Sequence, residues 1–122
     1  EAAAMPADTN DFDWSDAIRS LQGNVGLLKL VMKTFLEEVP SLQRRIVDAI
    51  DRGDPGALKI AAHSLKGSFR YLGASAAFEY AFRLEKMGEL KDFAAARESL
   101  PAIQDQIARV STAVAGYLKR TE

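Results

Sequence analysis

No cysteine occurs anywhere in the 122 residues. Disulfides and thiolate metal sites are therefore excluded, and the usage fits a reducing, cytoplasmic setting. There is a single histidine, and no Glu-x-x-His pair accompanies it, so the di-iron bundle pattern is absent and no metal is expected. No apolar run approaches the ~20 residues of a membrane span. The start, Glu1 to Pro6, has neither the basic region nor the hydrophobic stretch of a signal peptide. No Gly-x-x-x-x-Gly-Lys-Ser/Thr loop is present to cradle a nucleotide, and no carboxylate cluster suits Mg²⁺. The formal net charge is −1, so no overall field draws the chain to nucleic acid or to an anionic membrane. No stretch reads as a strand, and there is no internal repeat.

What is present is a helical pattern. Apolar residues make up 48% and charged residues 27% of the chain, the balance of one soluble globular domain. Residues 1–11 lack periodicity and contain Pro6, Asp8, Asn10 and Asp11, which predicts a flexible N-terminal arm. Its loose, acidic character favours a domain cut from a longer chain. The domain itself is expected over 12–120. A short helix is predicted from Trp14 to Leu21, stopped by Gly23. A second follows Asn24 and runs to Arg52 on the stripe Leu28, Val31, Phe35, Val39, Leu42, Ile46 and Ala49. Pro40 lies within it and predicts a kink near Leu36. Asp54 and Pro55 start a third helix, which ends at Gly73. Ser75 is expected to cap a fourth, ending near Met87 and Gly88. The fifth spans Phe93 to Lys119, with Pro101 bending it or joining two segments. The fold class is all-α: an antiparallel four-helix bundle (up-down-up-down) with a short extra N-terminal helix.

The third helix carries the chemistry. At about 100° per residue, Leu58, Ala61, Leu65, Phe69 and Leu72 point into the bundle, and Lys59, His63, Lys66, Gly67 and Arg70 point away. His63 is thus central on the outward face, where periodicity argues against a core histidine. Neutral imidazole is a nucleophile near neutral pH, its unperturbed pKa being about 6.5. Lys59 and Lys66 flank it by one turn on either side, and Arg70 extends the cationic strip with a fork for phosphate oxygens. Gly67 leaves bare backbone beside the ring. Glycine within a helix costs about 0.5–1 kcal/mol relative to alanine, and close approach by a partner gives a reason for it. The blander alternative is an inert surface histidine on an ordinary basic face.

A fourth-helix stripe of Phe78, Ala81, Phe82 and Glu85 places a carboxylate at the end of an apolar face. Two readings stand. Glu85 accepts from the imidazole of the neighbouring helix, fixing its tautomer and freeing Nε2; or it sits at the edge and reaches water.

His63-Ser64-Leu65-Lys66-Gly67-Ser68, followed by Leu72-Gly73-Ala74, resembles the motif of histidine-containing phosphotransfer (HPt) domains of bacterial and fungal phosphorelays. The resemblance covers most of the chain from Phe12 onward. It includes the Phe-Asp start, the internal proline of the long helix, the Gly-Asp turn before the histidine helix, and Leu84-Glu85. It implies that His63 is the phosphoacceptor at Nε2, that Lys66 stabilises the phosphoryl group and that Glu85 orients the imidazole. Gly67 is the glycine that leaves room for the partner, and Ser68 a small residue between helices. Receiver docking then falls to Lys59, Ile60, Gly67, Arg70 and Tyr71. Phe69, Arg70 and Tyr71 depart from the small residues or Asn common after that serine; Phe69 is absorbed by the core, and Arg70 and Tyr71 enlarge the docking surface. The implied partners are response-regulator receiver domains and a hybrid sensor histidine kinase, met as a monomer, without nucleic acid or direct membrane contact. No cofactor is implied in this chain; Mg²⁺ is expected on the receiver. The alternatives are the phosphoacceptor domain of a chemotaxis-type kinase and a helical docking module that is never phosphorylated.

Overall fold

A computed structural model describes residues 12–121; the predicted arm over 1–11 lies outside them. Five helices follow in order: α1 (Trp14–Ser20), α2 (Val25–Arg52), α3 (Pro55–Tyr71), α4 (Ser75–Glu89) and α5 (Phe93–Arg120). The starts of four are written in single polar side chains. Asp13 accepts from the Asp16 N–H at 2.9 Å, Asn24 from Leu27 at 2.9 Å, Asp54 from Ala57 at 3.0 Å and Asp92 from Ala95 at 3.1 Å. Each satisfies a first-turn donor that has no partner within its own helix.

The exception is α4. Its cap position is Ala74, without a side-chain hydrogen bond, and the expected cap, Ser75, is already the first helical residue. The reason lies in what covers this turn. Gly73 accepts at its carbonyl from the Asp13 N–H at 2.6 Å, and Ala74 donates to the Phe69 carbonyl at 2.9 Å. Both residues are buried, so the entrance to α4 is packed beneath the start of α1 with small residues.

Helices α2, α3, α4 and α5 form a ring in which each packs on its neighbours in sequence and α5 closes back on α2, while α1 lies across α2 and α3. With short connections this is the antiparallel up-down-up-down bundle. Its two long members, α2 and α5, have 28 residues each, against 17 in α3 and 15 in α4. The α2 stripe is buried except for half-buried Val31. It meets the inward residues of α3 through Phe35 and Phe69, whose rings are 5.9 Å apart and tilted. Ile103, Ile107, Val110, Val114 and Tyr117 complete the core from α5. Neither Pro40 nor Pro101 interrupts its helix. Both are exposed, on the side where water can meet the carbonyl that lost its donor.

The phase of α4 differs from the sequence expectation. Its buried residues are Ala77, Ala81, Leu84, Glu85 and Gly88, whereas Phe82 is 37% exposed and Phe78 half-buried. Small residues, not the largest apolar ones, decide which side faces α3. At Gly88 a Cβ would lie 3.1 Å from the Lys59 backbone nitrogen, so the helices cross at close range there. Gly88 therefore does not stop α4. The helix runs one residue further and ends where Lys91 adopts φ +58° and donates to the Gly88 carbonyl at 3.2 Å.

The α3–α4 turn is the tightest constraint on the fold. Gly73 has φ +67°, and a Cβ there would strike the Asp13 carbonyl. Gly73→Ala is expected to cost more than the ~1–2 kcal/mol of the left-handed conformation alone, and to loosen α1. A thermal melt would read it as a clearly lowered midpoint; an unchanged midpoint would contradict this packing.

Candidate functional site

His63 lies midway along α3 with its ring exposed, its side chain retaining 67% of its accessible surface. The outward phase follows from the inward one, since Leu58, Ala61, Leu65 and Phe69 are fully buried and the helix repeat leaves residue 63 on the opposite side. Across the α3–α4 seam stands Glu85, only 7% exposed. Its Oε2 is 3.0 Å from His63 Nδ1. With Nδ1 carrying the proton and donating to the carboxylate, the tautomer is set and Nε2, on the opposite edge of the ring, keeps its lone pair.

The second carboxylate oxygen is occupied by Lys66. Its Nζ is 2.7 Å from Glu85 Oε1, and the lysine side chain is only 20% exposed. Oε1 accepts no hydrogen bond of good angle, so this contact is a close ion pair. Burial by itself would raise the Glu85 pKa, but the contacts with Lys66 and His63 outweigh it and hold the carboxyl below its ordinary value of 4.5. Lys66 thus differs from the expected outward strip: it folds back across the seam because a buried carboxylate there requires a counter-charge.

The sequence pattern puts Phe82 in the inward stripe and does not single out Glu89, yet both stand beside the site. The Lys66 ammonium sits 5.3 Å from the centre of the Phe82 ring and the Lys86 ammonium 5.5 Å, so one half-exposed ring carries two cations by cation–π attraction. Glu89 lies 3.7 Å from Lys59 and 3.4 Å from Lys86. The Phe82–Lys86 spacing of four was a readable signal; the contact from Lys66 crosses between helices and was not.

The remaining candidates fall on different sides of the ring. Lys59 is drawn toward α4 by Glu89. Arg70 is two turns beyond His63, about 10 Å along the axis, and borders a surface hollow of about 380 Å³ with Asp13, Asp16 and Glu79. It does not join the lysines at the imidazole. Exposed Ile60 lies toward α2, beside Arg45, Asp48 and Arg52, and Tyr71 is exposed near the end of α3. Ser64 and Ser68 line the α2–α3 groove with Glu37, Glu38, Ser41 and Arg45. Ser68 also donates to the Ser64 carbonyl at 3.2 Å. A Cβ on Gly67 would meet nothing within 4 Å, so packing inside the domain does not demand that glycine. Among the described residues no group of three His, Asp or Glu side chains could hold a metal ion, and no helix is long and apolar enough to cross a membrane.

The lowered Glu85 pKa carries a sign for stability. On acidification the unfolded chain takes up the Glu85 proton first, so the contribution of this carboxylate is complete above about pH 4.5 and is lost as pH falls through the folded-state value. Glu85→Gln is therefore expected to flatten the acid side of a melting-temperature profile between neutral pH and about pH 3. Identical acid slopes for both proteins would contradict the carboxylate network.

Comparison with known proteins bears on the fold and the family. No curated protein matches the chain. Two solved structures share its fold. One is histidine-containing phosphotransfer protein B (HptB) from Pseudomonas aeruginosa PAO1, with a TM-score of 0.80 at 23% identity. The other is the HPT domain of the Hpt sensor hybrid histidine kinase from Shewanella, with a TM-score of 0.81 at 18% identity. Each alignment covers 93% of this chain and 97% of the other. The Hpt domain family matches residues 30–113, from the first turns of α2 through most of α5, and so includes both His63 and Glu85. The chain belongs to the Hpt domain family, the histidine phosphotransfer domains of phosphorelays.

Proposed function

We propose that His63 is the phosphoacceptor, taking a phosphoryl group from a receiver-domain phospho-aspartate and passing it to another receiver. The observation that supports this most is the buried Glu85 carboxylate on Nδ1 of an exposed ring. With the proton on Nδ1 toward that carboxylate, Nε2 is unprotonated and its lone pair is free to attack. In the forward step the Nε2 lone pair forms the N–P bond while the aspartyl O–P electrons return to the carboxylate. The ring becomes positive with its proton still on Nδ1, where Glu85 steadies it.

The chain is a phosphocarrier and not a stand-alone enzyme. Mg²⁺ and much of the catalysis belong to the receiver, and this domain contributes nucleophile and positioning. The receiver docks as a partner of a monomer, over Ile60, Gly67 and Tyr71 toward α2, with Lys59 and Arg70 at the charged margin. The domain works in the cytoplasm, with a hybrid sensor histidine kinase as a further partner.

His63→Gln is expected to abolish phosphate acceptance while the helical signal and melting temperature stay near those of the parent. Incubation with a phosphorylated receiver, scored as acid-labile label, decides it; undiminished label on the variant would refute the assignment.

Gly67 separates docking from folding. Gly67→Ala fills open space and is expected to raise stability by about 0.5–1 kcal/mol. Gly67→Gln is expected to slow transfer from a receiver by tenfold or more, about 1.4 kcal/mol or above in barrier. Stopped transfer assays beside melts of both variants check it; transfer by Gly67→Gln at the parental rate would contradict the docking role.

A further inference from the structure

We propose that Glu85 holds Lys66 in reserve: its Oε1 keeps the ammonium until a phosphoryl group on His63 competes for it, so Glu85 shortens the time that His63 retains that group. This rests on His63 being the acceptor, and concerns the fate of the phosphoryl group once the N–P bond exists.

The two oxygens of Glu85 have separate partners. Oε2 meets Nδ1 at 3.0 Å and Oε1 meets Nζ of Lys66 at 2.7 Å. Because Nδ1 faces the carboxylate, Nε2 and anything bonded to it lie on the far edge of the imidazole. A phosphoryl group there brings about two negative charges and three acceptor oxygens, on a ring one helical turn before Lys66. An ammonium pressed against Oε1 and largely covered is directed at the carboxylate, not at that edge.

Transfer of the lysine between the two anions breaks no covalent bond, and each end has a cost. If Lys66 moves to the phosphoryl oxygens, Oε1 remains buried with no other partner among the described residues, which is unfavourable for a carboxylate. If it stays, the phosphoryl group lacks its nearest buried cation. The Phe82 face, 5.3 Å from the ammonium, gives Lys66 an attractive surface beside the carboxylate, and Lys86 lies over the same ring at 5.5 Å. Glu85 consequently acts twice with opposite signs. Through Oε2 it steadies the positive phosphoimidazole and favours retention; through Oε1 it withholds a cation and favours loss. Glutamine in its place can still accept from Nδ1–H through its amide oxygen, but does not bind the ammonium as an anion.

The test is a double-mutant cycle on the whole chain, phosphorylated with phosphoramidate so that no protein partner is needed. Wild type, Glu85→Gln, Lys66→Ala and the double variant are first checked for an unchanged helical signal. Phosphohistidine half-lives are then measured by ³¹P NMR. Glu85→Gln is expected to lengthen the half-life about fivefold when Lys66 is present, the lower end of typical coupling between sites. In the Lys66→Ala background it should shorten the half-life or leave it unchanged, since only the Oε2 effect remains. A Glu85→Gln effect that is the same in both backgrounds overturns the proposal. A readout without substitution accompanies it: the ¹⁵Nζ signal of Lys66 and the side-chain carboxyl ¹³C signal of Glu85 should both shift when His63 is phosphorylated. If both stay unmoved while the ³¹P signal of phosphohistidine is present, the proposal also falls. Failure of the wild type to take phosphate on His63 is a different result, and overturns the acceptor assignment itself.

Discussion

A carboxylate inside a helix–helix seam is unfavourable unless donors meet it, and Glu85 is met by two side chains of the facing helix. That requirement organises much of the local structure. The donors reach it because α3 and α4 cross closely, and they cross closely because Gly88 and the alanines of α4 keep that side of the helix thin. A Cβ at Gly88 would press on the Lys59 backbone, which is rigid, and not on a side chain that could turn aside. Backbone packing at one end of the seam thus sets hydrogen-bond geometry one turn away. The same demand explains why Lys66 leaves the outward strip: with a counter-charge needed at Oε1, its ammonium is held more strongly across the seam than in water.

Most of the architecture was legible because its signals are local. Asn24 and Asp54 cap through their own side chains, and the apolar stripes of α2 and α5 repeat over enough turns to fix both length and phase. The outward position of His63 came from the same arithmetic. The failures have a common cause in neighbours distant in sequence. Ser75 has the right chemistry for a cap, but the start of α1 covers the turn and places the helix start one residue earlier. Phe82 has the hydrophobicity of a core residue, but the alanine and glycine side of α4 packs against α3 and leaves Phe82 at the rim. The helix angle alone puts Lys66 on the outward strip. A flexible side chain at the boundary between two faces is placed by charge rather than by the helix repeat.

The third helix does different work on each of its sides. Inward, Leu58, Ala61, Leu65 and Phe69 supply the packing that keeps its axis fixed. Toward α4, Lys59 and Lys66 bind glutamates and give the imidazole a defined electrostatic neighbour. Toward α2, Ser64 and Ser68 border one polar-walled groove and Ile60 another, while Tyr71 is exposed at the end of α3. His63 and Gly67 lie between these last two sides. A partner can therefore approach over the α2 side and the bare backbone of Gly67 without first displacing the carboxylate network.

This separation fits the demands on a carrier better than a deep site would. A histidine enclosed in the bundle would be shielded from the partner that must deliver and remove the group. A histidine with no second contact would spread its proton over two ring nitrogens and lose a defined nucleophile. The structure meets both conditions by burying the orienting acid and exposing the ring. Rigidity comes from α4, which need not touch the partner, and access comes from α3, whose outer surface is left short of bulk at Gly67. The cost of a buried carboxylate and of a glycine within a helix falls on folding, and what it secures is an imidazole held at one edge and open to a second protein at the other.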